Sequence, residues 1–125
     1  MRPSPPELIL RLACFGIFAG HGAFALEAHA PWLRFFPAVG LELGFGRAIM
    51  PWIGGLDVAL AILVLFRPIP AALVWMSFWA LWTAALRPLA GDSLFAFVER
   101  SGNFGAPLAL LLLRGLPSGA RDWLR

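Results

Sequence analysis

The chain has no lysine, no tyrosine and no glutamine, a single cysteine (Cys14) and two histidines (His21 and His29). One thiol excludes an internal disulfide and a CxxC relay, so the chain has no dithiol chemistry of its own. The two histidines stand about 12 Å apart if they share one helix, which excludes bis-histidine haem ligation within one copy, and no other metal-ligand spacing is present. Charge is also scarce. Only 14% of the residues are Asp, Glu, Lys or Arg, against about 25% in a soluble domain. All ten basic residues are arginines placed mostly between apolar runs. The sequence pI of about 11.1 therefore carries no sign of a nucleic-acid partner.

What remains is apolar. The chain is 60% hydrophobic with a mean hydropathy of +0.78, and residues 69–86, IPAALVWMSFWALWTAAL, pass without one charge. A bilayer core of roughly 30 Å takes about 20 apolar residues as helix. With several such stretches in 125 residues, the expected fold is all-α. It is an integral membrane four-helix bundle of antiparallel up-down topology, one domain over 1–125, with the lipid bilayer as its surroundings. Spans are expected at about 8–27, 48–66, 69–88 and 103–115, with interfacial segments at about 30–46 and 93–100.

Two stretches admit a second reading. Ala28-His29-Ala30 imitates a signal-peptidase site, but Arg11 within the first apolar run and Pro31 after the supposed cut favour a retained helix. The fourth span is short of apolar residues. Either Leu94 to Leu113 forms one helix carrying Glu99 and Arg100 near its middle, or the chain breaks at Ser101-Gly102. In the second case a helix of about fourteen residues starts near Asn103 with Pro107 in its first turn, which keeps an acid and a base out of hydrocarbon.

The rim holding both termini and the 67–70 turn would carry Arg2, Arg11, Arg67, Arg114, Arg121 and Arg125. The opposite rim would carry Arg34, Arg47, Arg87 and Arg100, offset by acids. This bias places both termini in the cytoplasm.

Several residues stand out against the apolar background. Asp57 lies near the centre of the second span, where a bare carboxylate is costly, so it needs a partner. Counting about 1.5 Å per residue, Asp57 sits about 13–14 Å above the terminal rim and His21 about 19–20 Å. Their side chains lean toward each other in an antiparallel pair. The expectation is a pair that handles protons, orients a ligand or fixes helix register, with Ser77 and Thr83 at similar depth and Arg11 as the other candidate partner. Trp75, Trp79 and Trp82 form one stripe on the third span, either bundle packing or the wall of a pocket for a flat ring. Gly16 and Gly20 make a GxxxG step, expected to pack on a neighbouring helix or on a second copy, and Gly54-Gly55 is expected to act similarly. Glu27, His29, Arg87, Asp92, Glu99, Arg100 and Asn103 gather on the outer rim, either as ion pairs closing helix ends or as a docking surface.

Taken together, Arg11 followed by Gly20-His21-Gly22, GGLDVALAILVLF (54–66), LWTAALRPLAG (81–91) and FVERSGNFGAPLALLLL (97–113) resemble the DoxX-like family of small four-helix bacterial membrane proteins. The resemblance covers Leu8 to Leu113. It implies residence in the bacterial inner membrane and an accessory role in a redox or stress-response process, through partner docking or a lipid-soluble ligand. The alternative it implies is a membrane subunit of a thiosulfate:quinone type oxidoreductase. A quinone is then the one cofactor candidate, and a redox protein or a second copy the candidate partner. The resemblance carries Arg11, Asp57, Arg87, Glu99, Arg100 and Asn103 as characteristic positions without assigning them roles, so whether the isolated chain is an enzyme stays open.

Overall fold

The computed structural model describes residues 2–125, and among these the regular structure is entirely helical. Helix α1 (Pro5–Leu26) begins where Ser4 accepts a hydrogen bond from the Glu7 amide, with prolines in the first turn whose missing N–H groups cost nothing there. It ends where Ala28 turns left-handed at φ 50°. A 3-10 turn (Ala30–Trp32) and the short α2 (Phe35–Ala38) then cross the end of the bundle. Helix α3 (Leu43–Phe66) returns, starting about five residues before the expected span, and stops at Arg67-Pro68. Helix α4 (Pro70–Leu89) follows at once. The short α5 (Leu94–Val98) leads into α6 (Ser101–Arg114), and a 3-10 turn (Ala120–Leu124) closes the chain.

Two of these helices, α1 and α3, are long and apolar enough to cross a membrane. The outward faces are apolar as well: Ile9, Trp52, Phe66, Phe78 and Leu112 are all exposed.

The break before α6 falls at Glu99-Arg100, just upstream of the expected Ser101-Gly102, and Pro107 lies buried in mid-helix rather than in the first turn. Arg100 explains the position. It donates to the Ala96 carbonyl in α5 and to Glu99 (2.8 Å), so acid and base close the corner together.

Helix α1 packs along α3 and also meets α6, and α4 packs along α6. Consecutive helices α3 and α4 have little direct packing. The α1/α3 seam follows helical periodicity: Cys14, Phe18, Gly22 and Ala25 face Met50, Gly54, Asp57, Ala61 and Val64, while Gly46 lies against Phe36 of α2. Its closest approach is at Gly22 and Gly54. A Cβ on Gly54 would stand 2.5 Å from the Leu26 nitrogen and 2.6 Å from the Gly22 oxygen. Of the expected packing glycines Gly54 makes this contact, whereas Gly16, Gly20 and Gly55 do not pack within the chain, since a Cβ on any of them would meet nothing within 4 Å. At 100° per residue, Gly20 points about 200° away from Gly22, so the GxxxG step faces outward.

Both chain ends lie at the end of the bundle that holds the α3–α4 turn. Glu7 pairs there with Arg11 (2.8 Å) and with Arg114. Arg67 donates to the Leu124 carbonyl (3.2 Å). Arg11 also donates to the Leu65 and Phe66 carbonyls, capping the end of α3. It therefore belongs to this rim and is no partner for Asp57.

Candidate functional site

The half of the bundle nearer the α3–α4 turn is filled by Cys14, Ala61, Val64, Leu73, Met76 and Leu110, all fully buried. Toward the other end this aliphatic packing gives way to aromatics, and a cavity of about 350 Å³ opens between α3 and α4 against α1. Phe18 and His21 come from α1, and Met50, Ile53 and Asp57 from α3. Helix α4 supplies Trp79, Ala80, Trp82, Thr83, Leu86 and Arg87, while Arg100 and Asn103 enter from the start of α6. Trp32, Phe35 and Phe36 form the roof.

The roof is held by arginines. The guanidinium groups of Arg34 and Arg87 lie 4.6 Å and 4.4 Å from the Phe35 ring centre, a contact worth roughly 0.5–2 kcal/mol depending on solvation. Arg34 also reaches Asp92 (2.7 Å) and the Ala90 carbonyl, tying the α1–α3 connection to the end of α4. The Arg34 hydrogen bond holds the Asp92 carboxyl below its ordinary value of 3.8. The contribution of this pair to the roof is therefore present above pH 3.8 and is lost as pH falls through the lowered folded value. Hydrogen exchange of roof amides 30–38, corrected for intrinsic rates, is expected to accelerate across that acid range, and Asp92→Asn is expected to abolish the step.

His21 and Asp57 line the same cavity but are not hydrogen-bonded to each other. His21 instead stands edge-on to Trp32 at 5.7 Å, and Trp32 meets His29 on its other contacts at 5.0 Å. Asp57 is 5% exposed and its Oδ1 has no hydrogen-bond partner among the described residues. The lean of the side chains brings both into one space, where the histidine ring packs on the roof aromatics. Thr83 lines the cavity, whereas Ser77 turns back to the Leu73 carbonyl (2.8 Å) and stays out of it. The tryptophan stripe divides in the same way. Trp79 and Trp82 are on the wall, and Trp75 stacks on Trp79 from outside.

The outer-rim cluster separates by direction. Arg87, Arg100 and Asn103 turn into the cavity, while Glu27 is exposed, with no ion pair among the described residues, and the Glu99 side chain is largely exposed. The roof residues Trp32, Phe35 and Phe36 were missed as site residues. Their signal was the Pro-flanked aromatic run PWLRFFP, too rich in large rings for a solvated loop. Among the described residues no three His, Cys, Asp or Glu side chains come together as a metal site.

The space thus combines flat apolar walls with donors from Arg87, His21 and Asn103 at one end and an unpartnered carboxyl at its floor. It can hold a ring between aromatic faces and donate hydrogen bonds to a ring oxygen. Comparison of the chain with family models, with curated proteins and with solved structures gives no match.

Proposed function

We propose that this chain is a DoxX-like integral membrane four-helix bundle that holds a lipid-soluble ligand in the cavity between α3 and α4. The cavity itself carries the reading: an aromatic-walled space in the half of the bundle where consecutive helices do not close on each other. Support for the membrane setting comes from the two long apolar helices and from the exposed Leu, Phe and Trp on the outer faces. In this reading α4 and the shorter α6 complete the bundle, the membrane is the bacterial inner membrane, and both termini lie in the cytoplasm.

A quinone is one candidate lipid-soluble ligand, because its ring fits the tryptophan and phenylalanine walls and its oxygens meet arginine, histidine and asparagine donors. The role is accessory to a redox or stress-response process, with a redox protein or a second copy as the docking partner. A subunit passing electrons from a sulfur compound to quinone is the weaker reading. Cys14 is fully buried in the core and is not on the cavity wall, so a sulfur substrate in the cavity meets no thiol of this chain. An organic extract of protein purified from its native membrane in mild detergent is expected to contain a stoichiometric lipid-soluble molecule. A clean extract would count against the proposal.

A further inference from the structure

Arg87 is 7% exposed, and its one hydrogen bond runs from Nη1 to the Thr83 carbonyl at 3.0 Å. No carboxylate lies within ion-pair distance of it among the described residues. Asp92, the acid closest in sequence, is engaged by Arg34, and Glu99 is engaged by Arg100. Asp57, the acid on the cavity wall, sits about 12 Å deeper, counting helix rise from the α3–α4 turn. Buried charges are ordinarily paired, because an uncompensated one bears the full loss of its hydration. The faces of Phe35 and Trp32, at 4.4 Å and 5.9 Å, soften that loss without supplying a counter-charge. A guanidinium that is buried, fixed in direction and lacking an anion, at the rim end of an apolar cavity, is therefore built to receive one.

Resting on the reading of the cavity as a lipid-soluble ligand site, we infer that the ligand is an amphiphile with an acidic headgroup, a carboxylate or phosphate clamped by Arg87 with Arg100 beside it. Its apolar chain lies along Trp79, Ile53 and Phe18, in the gap that α3 and α4 leave between them. Arginine suits this role because its planar fork gives two parallel charge-assisted hydrogen bonds to either anion. A neutral ring or alcohol fills the same walls and leaves the cation uncompensated.

The test uses the full chain in detergent, with quenching of indole fluorescence by bromine-labelled palmitic acid and by bromine-labelled hexadecanol, since Trp32, Trp79 and Trp82 line the cavity. The acid, in its ionised form, is expected to bind roughly tenfold more tightly than the alcohol. Arg87→Gln should lower the acid's affinity roughly tenfold, to near that of the alcohol, and change the alcohol's affinity much less. Arg100→Gln, at a less buried position, should weaken the acid in the same direction even if Arg87→Gln fails to fold. Equal binding of acid and alcohol to the native chain would overturn the acidic-headgroup inference and leave the lipid-soluble reading standing. Displacement of the acid by millimolar inorganic phosphate would mark a site for a free anion and would also overturn it. Absence of binding by both probes would remove the lipid-soluble reading as well.

Discussion

Replacing Gly54 with alanine is expected to destabilise the chain by about 1–3 kcal/mol, and replacing it with leucine to prevent folding. The added Cβ would meet the Leu26 nitrogen, the Gly22 oxygen and the Ala25 carbonyl carbon at 2.5 Å, 2.6 Å and 2.9 Å. All three are backbone atoms, so no rotamer change relieves the clash and α1 and α3 must separate. Separation also undoes the site, since Phe18, His21 and Asp57 reach the cavity from these two helices. Gly16→Ala, Gly20→Ala and Gly55→Ala are expected to be neutral or slightly stabilising, because each faces open space on a helix, where alanine is favoured over glycine. Thermal unfolding in detergent separates the two sets. A neutral Gly54→Ala, or a large loss at Gly20, would contradict the packing described.

The second large effect has the opposite sign. Asp57→Leu is expected to raise stability by about 1–3 kcal/mol, because the native side chain is buried with an oxygen that makes no hydrogen bond, and its removal strands no partner. Had Asp57 and His21 formed the expected clasp, removing either would destabilise the chain and the double variant would recover part of the loss. Without a hydrogen bond between them, the effects of Asp57→Leu and His21→Leu should add. A destabilised Asp57→Leu variant would show that the carboxyl has a structural partner.

The helices were legible from the sequence because the apolar runs and their proline boundaries are long-range signals that do not depend on tertiary context. Leu8 to Leu26, Ala48 to Phe66 and Ile69 to Pro88 each match an observed helix to within a residue or two at their ends, apart from the earlier starts of α1 at Pro5 and α3 at Leu43. The corner at Glu99-Arg100 was readable from the expense of placing that pair in mid-helix.

Direction around each helix was harder to read. Gly20 and Gly22 are equally small, and only the crossing with α3 selects Gly22. Asp92 and Glu99 look like natural partners for Arg87, yet Arg34, far away in the chain, takes Asp92 through a fold-back that no local pattern announces. The roof is the clearest case. Trp32, Phe35 and Phe36 read as membrane-interface aromatics, and they cover the cavity because the connection is pinned inward by Arg34 and Arg87.

The claim that the cavity between α3 and α4 is a ligand site is tested most directly by the native mass of the chain released from its own membrane. Wild type is measured beside Ile53→Trp, in which a large ring occupies the space. The expected result is one added small-molecule mass on the wild-type chain and a bare mass for the filled variant at unchanged thermal stability. A bare mass for both, or an adduct that persists in Ile53→Trp, would contradict it.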